Sequence, residues 1–247
     1  MSVSITWLGH STFEIRLPGG ETILIDPWLD NPKYPAGHEI ERVDLLLVTH
    51  GHFDHIADAV DVAKKYKPQV VANFEVATWL GSKGADNVTG MNKGGSTELA
   101  GFRISMTHAQ HSSMIQDGDQ TIYGGEPAGF VVRLPDGRRF YHAGDTNLFS
   151  DMSLIKRLWK PELAILPIGD LYTMDPEQAA IACEFLGVKK VMPMHYGTFP
   201  PLTGTPDELS DEIAAGAFGR SRRTNAWRNH RMVSPSGCWS LLRFGVR

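Results

Sequence analysis

Only two cysteines, Cys183 and Cys238, occur among the 247 residues. Two thiols cannot build a disulfide framework, and they fit a reducing, cytoplasmic setting. No apolar run approaches the roughly 20 residues that span a bilayer, and residues 1–8 lack the basic-then-apolar layout of a signal peptide. An excess of positive charge is missing too. The 24 Lys+Arg face 28 Asp+Glu, a formal net charge of -4, which argues against a general nucleic-acid binder. With 42% hydrophobic and 21% charged residues, the chain is neither disordered nor a coiled coil. What it does have is 10 histidines, and histidine is the commonest metal-ligating side chain.

The length suits one large domain or two small ones. Residues 5–8, 12–17 and 22–25 read as short strands joined by turns, with Pro18-Gly19-Gly20 as the clearest turn signal. Residues 44–48, continuously apolar from Leu45 onward, have the pattern of a buried strand. Helical spacing follows at 58–66, a strand at 69–72 and a short helix at 75–80. Strands are then expected at 97–99 and 102–108. Residues 112–127 are polar and Gly-rich without a clear period, and are expected to form a long loop that could act as a lid. Residues 129–134 and 139–142 flank Pro135-Asp136-Gly137, a hairpin signal. Helix 148–159, strand 163–167, helix 176–186, strand 189–194 and helix 206–215 complete the order. This alternation implies sheets covered by helices. Residues 219–247 carry seven arginines and no acidic residue, read as a solvated basic segment packed on or trailing from a domain over 1–218.

The informative stretch is Thr49-His50-Gly51-His52-Phe53-Asp54-His55. It follows the buried run directly and supplies nitrogen and oxygen donors suited to Zn²⁺, Mn²⁺ or Fe. His50 and His52 can converge on one ion, and Asp54 and His55 can turn toward a second. One short peptide cannot fill two coordination shells. The remaining donors are expected from His111, Asp145 and His195, each just past another strand, where loops gather in layered α/β structures. Asp26 either fixes a ligand histidine through its second N–H or is a turn residue before Pro27. His10 is expected to face substrate or support a ligand. His108 and His142 are read as strand residues, and His38 and His230 as surface residues. Asp170 to Met174 and Tyr196 are candidates for lining the site.

The His-x-His-x-Asp-His pattern resembles the signature of the metallo-β-lactamase superfamily. The likeness extends from Leu24-Ile25-Asp26-Pro27 through His50–His55 and His111 to Ala143-Gly144-Asp145-Thr146 and Met194-His195. Trp7-Leu8-Gly9-His10-Ser11 and the segments 108–113 and 141–146 are similar to one branch. That branch holds ascorbate-6-phosphate lactonase-like proteins, a set of metal-dependent hydrolases, and relatives of N-acyl-phosphatidylethanolamine phospholipase D. The resemblance implies an α/β fold, a four-layer αβ/βα sandwich of two mixed sheets flanked by helices. It also implies two divalent metal ions, zinc first and manganese second. His50, His52 and His111 would hold one, Asp54, His55 and His195 the other, and Asp145 would bridge them. A hydroxide between the ions would then cleave an ester, lactone or phosphoester of a small molecule, with Asp54, Asp145 and His10 as the catalytic side chains. A phosphodiesterase or phospholipase-type hydrolase and a non-catalytic metal-binding protein are the alternatives. Nucleic acid is not an expected partner, and homo-oligomerisation stays open.

Overall fold

The computed structural model describes residues 3–216 and the backbone of Leu242 and Arg243. Apart from that backbone pair, the Arg-rich segment 219–247 and His230 lie outside the described residues.

The first half of the chain supplies β1 (Ser4–Trp7), β2 (Phe13–Arg16), β3 (Thr22–Ile25), β4 (Leu45–Leu47), α1 (Phe53–Ile56), α2 (Ala59–Tyr66), β5 (Gln69–Asn73), α3 (Phe74–Ser82) and β6 (Val88–Met91). The second half supplies β7 (Ser96–Leu99), β8 (Phe102–His108), β9 (Met114–Asp117), β10 (Gln120–Tyr123), β11 (Ala128–Arg133) and β12 (Arg139–His142). It continues with α4 (Met152–Trp159), β13 (Leu163–Pro167), α5 (Pro176–Leu186), β14 (Lys190–Met194), α6 (Pro206–Ala215) and β15 (Leu242–Arg243). Among these, one sheet runs β15-β1-β2-β3-β4-β5-β6, another β14-β13-β12-β11-β8-β7, and β9 and β10 pair as a separate hairpin. Both large sheets are mixed: β1–β3 are antiparallel and β3–β6 parallel, while β7–β12 are antiparallel and β12–β14 parallel.

Strand alternation builds the layers. Ile23, Ile25, Leu45, Leu47 and Val71 enter the cluster shared with the second sheet. Their neighbours Leu24, Leu46, Val70 and Ala72 pack instead with Ala59, Val62, Val76 and Leu80 of α2 and α3. Successive side chains on a strand point to opposite faces. A parallel strand buried on both faces must therefore be apolar at every position, which is why 45–48 reads as an unbroken run. On the other side, Met152 and Ile155 of α4 and Ala179, Ala182 and Cys183 of α5 join the same core as Leu163 and Ile165. The result is the expected four-layer α/β sandwich. Local signals set the helix ends: Asp175 accepts from the Gln178 N–H ahead of Pro176, and Thr205 and Glu208 form a capping box on α6.

Two expectations change. Residues 112–127 are not a structureless loop, because they contain the β9–β10 hairpin. Its signal is faint since most of its side chains are exposed, Ile115 being the fully buried one. The hairpin is also pinned: Asp117 accepts from the Trp79 indole at 3.1 Å and from Lys83 Nζ at 2.8 Å. Strand β6 was not expected, and Gly90 within it weakens the strand pattern.

Candidate metal centre

The strand directions bring the carboxyl ends of β1, β3, β4, β8, β12, β13 and β14 to one edge of the sandwich. There the two sheets are tied together by Ala128 N–H to Thr49 O at 3.1 Å and His195 N–H to His10 O at 3.0 Å. The chain must leave these strands abruptly. His10, Asp26 and His195 all take positive φ values, +49°, +47° and +57°, a region non-glycine residues enter at a cost of roughly 1–2 kcal/mol. Gly51 is needed between the two histidines because a Cβ there would sit 2.7 Å from Ile115 Cγ1 and 3.2 Å from the Met114 carbonyl. Its N–H donates to Ser113 Oγ at 3.1 Å, and Ser113 in turn donates to Gly124 O at 2.8 Å. The hairpin and the His50–His55 segment are thus built against each other.

The seven expected donors form one cluster centred on Asp145. Its Oδ2 lies 2.9 Å from His195 Nε2, 3.3 Å from His55 Nε2, 3.6 Å from His111 Nε2 and 4.0 Å from His50 Nε2. On one side, His50, His52 and His111 offer three nitrogens within 4.8 Å of one another. On the other, Asp54, His55, His195 and His10 form a second such group, and His50, His55 and Asp145 link the two.

These donors suit divalent cations. Asp145 Oδ1 and His55 Nε2 are buried with no hydrogen-bond partner, an arrangement that is costly unless something else satisfies them. Burial, followed by the neighbouring imidazoles, holds His50, His52 and His111 below the usual histidine range. They are therefore neutral near pH 7, the state in which a ring nitrogen can bind a metal. Burial also disfavours a charge on His55, but Asp145, Asp26 and Asp54 outweigh it and raise that ring well above the ordinary value. That balance describes a nest of carboxylates in want of positive charge.

Asp26 supports two of the candidate histidine rings. It is fully buried and accepts from Thr49 N at 2.8 Å, Thr49 Oγ1 at 2.7 Å and His55 Nδ1 at 2.7 Å. Since Thr49 spends its hydroxyl proton on Asp26, it must accept from His50 Nδ1 at 3.0 Å. One carboxylate therefore anchors the Nδ1–H of both histidines, directly for His55 and through Thr49 for His50, and leaves both Nε2 atoms facing Asp145, where a cation would take the place of a proton. His10 is fully buried, with Nε2 2.8 Å from Asp54 Oδ2 and Nδ1 3.0 Å from Thr198 Oγ1. Burial lowers its pKa to about 4, so the ring is neutral near pH 7 and donates through Nε2 to Asp54, while Thr198 Oγ1, beside Nδ1, also lies 3.3 Å from the Tyr196 carbonyl. For Asp54, His55 and the His10 bond overcome the burial penalty and bring the carboxyl to about 2.

Comparison with known proteins decides the family. Residues 21–196 match the model described as the beta-lactamase superfamily domain. A UPF0173 metal-dependent hydrolase of Solibacter usitatus is 56% identical over 91% of this chain and 96% of its own length. One from Rubrobacter xylanophilus is 54% identical over 83% and 86%. The solved structure of a metallo hydrolase from Ignicoccus hospitalis superposes with a TM-score of 0.76 at 37% identity, covering 88% of this chain and 93% of that one. The chain belongs to the beta-lactamase superfamily.

The other candidates of this superfamily member fall in different places. His142 ends β12, fully buried, and accepts from Gly144 N–H at 3.2 Å. His108 ends β8 beside Lys93 Nζ at 2.9 Å, and His38 is half-buried 3.1 Å from Glu14 Oε2. Tyr196 stacks on Trp7 at 4.9 Å, and Leu171 and Tyr172 are exposed. Sequence reasoning missed Thr49, Thr198, Trp28 and Phe199 as neighbours of the cluster. Only Thr49, next to His50, carried any positional hint.

Proposed function

We propose that the chain is a metal-dependent hydrolase that holds two divalent cations side by side, zinc first and manganese second. His50, His52 and His111 would hold one cation and Asp54, His55 and His195 the other, with Asp145 placed between the two groups. The observation that carries this reading is one Asp145 oxygen within 4.0 Å of four imidazole Nε2 atoms drawn from three separate loops. Cations bound there would supply a water ionised near neutral pH, its pKa falling from ~15.7 toward ~7, and a Lewis acid for the scissile carbonyl or phosphoryl oxygen.

The protein's own part is positioning. Asp145 sets the distance between the two donor groups. Asp54 keeps one oxygen on the His10 N–H, and its partly exposed carboxylate orients the attacking water by accepting a hydrogen bond. His10, buried with both nitrogens engaged, acts through Asp54 and does not touch substrate. The substrate is an ester, lactone or phosphoester of a small molecule, the bond types such a centre can attack.

The test combines metal analysis with turnover at equal metal loading on carboxylic esters, lactones and bis-p-nitrophenyl phosphate. Two metals per chain and hydrolysis are expected, with Asp145→Ala and His52→Ala each abolishing turnover and lowering metal content. Full activity in a metal-depleted His52→Ala protein would refute the scheme. Stoichiometric metal without hydrolysis across the panel would make the protein a metal binder only.

A further inference from the structure

Apolar side chains crowd the Asp54–His195 side of the centre. Trp28 and Phe199 stack with centroids 5.6 Å apart, and Phe53 meets the Trp28 ring edge-on at 5.6 Å. His10 packs against both Trp28 and Phe199, at 5.3 and 5.7 Å, so this trio begins where the donor cluster ends. Phe53 lies between His52 and Asp54 in the chain, yet 57% of it is exposed. A second apolar pair comes from the loop after β13, where Leu171 and Tyr172 are 61% and 56% exposed. That loop is tied to the centre by Met174 N–H donating to the carbonyl of Thr146, the residue after Asp145, at 3.2 Å. Asp170 and Leu171 both take positive φ, +65° and +50°, a conformation that bulky residues rarely adopt. Strained backbone that presents large apolar groups to water beside a reaction centre is a feature of ligand clamps.

We propose, on the basis of the hydrolase reading above, that these residues bind an apolar acyl or aryl group of the substrate. The enzyme then acts on hydrophobic esters or lactones, with the scissile bond at the Asp145 cluster. A competing anchor is Lys33, whose Nζ would lie 3.9 Å from a Cβ on Gly197 and would favour an anionic substrate instead.

The experiment follows ethyl acetate, butyrate, octanoate and phenylacetate by pH-stat with the metal-loaded protein. Each turnover consumes one ester and one water and releases ethanol and a titratable carboxylic acid. A fully buried methylene is worth about fourfold, or ~0.8 kcal/mol. A half-open wall should give about twofold, so kcat/KM should rise roughly 60-fold over the six methylenes from acetate to octanoate. Phe53→Ala and Leu171→Ala should flatten the series while metal content holds, and the octanoate-to-phenylacetate ratio separates an acyl from an aryl preference. A flat wild-type series overturns the proposal, as does a steep one unchanged in both variants. A larger KM increase from Lys33→Ala than from Phe53→Ala also overturns it. If no ester is hydrolysed, and the lactones and bis-p-nitrophenyl phosphate are also left intact, the hydrolase reading fails by itself. Calorimetric binding of octanoate against acetate to the zinc-loaded protein then still reads the wall: tighter octanoate binding lost in Phe53→Ala supports it, and equal binding overturns it.

Discussion

Replacing Asp26 by Asn tests whether one buried carboxylate organises the donor cluster. Asn keeps the shape and tolerates the φ of +47° at this position, so the perturbation is confined to hydrogen bonding. Asp26 accepts three bonds, two from Thr49 and one from His55. An amide has one accepting oxygen, so its NH₂ group must face a donor in either orientation. If it faces the Thr49 backbone N–H, that buried group goes unsatisfied, at about 1–3 kcal/mol, and two charge-assisted bonds become neutral ones. If it faces His55, the ring must move its proton to Nε2 and loses the lone pair aimed at Asp145. The expected loss of stability is about 2–4 kcal/mol, a fall in Tm of roughly 5–15 °C for a chain of this size. Metal affinity should drop about 10–100-fold. Calorimetric melting of the metal-free protein and chelator competition read by elemental analysis measure the two separately. An Asp26→Asn protein with wild-type melting and wild-type metal affinity would show that the Thr49–Asp26–His55 chain of bonds does not hold the site.

Gly144→Ala should cost about 2–4 kcal/mol and lower metal stoichiometry, because Gly144 has φ +62° and its Cβ would meet the Ala128 carbonyl at 2.5 Å; thermal melting and metal analysis check it. Asp117→Ala should speed hydrogen exchange of the amides at 114–123 while leaving the melting temperature nearly unchanged, since it releases the hairpin from Trp79 and Lys83 without touching the core. Protection equal to wild type would mean that Ile115 and Ser113 suffice to hold the hairpin. The Cys183 thiol is pushed up to about 12 by burial and Glu184, so at pH 8 only about one molecule in ten thousand is thiolate. In a Cys238→Ser background, Ellman's reagent should therefore react only after denaturation, and fast native labelling would contradict the packing of α5.

The layered α/β class was legible in the amino-acid order, because burying a parallel strand on both faces forces unbroken apolar runs such as 45–48. That order also exposed the candidate donors that the fold gathers into one cluster, since the spacing from His50 to His55 is a local property and His111, Asp145 and His195 each follow a legible strand. The β9–β10 hairpin was hidden, for Ile115 is the fully buried side chain among its strand residues and no alternation survives. Only the tertiary structure decided that Asp26 serves two histidines, that His10 turns inward to Asp54 and Thr198, and that Trp28, Phe53 and Phe199 meet. Those contacts join residues far apart in the chain, with Thr198 and Phe199 reaching in from the loop after β14 of the second sheet. Hydrogen-bond direction and ring stacking depend on atoms being brought within a few ångströms, which no pattern along the chain encodes.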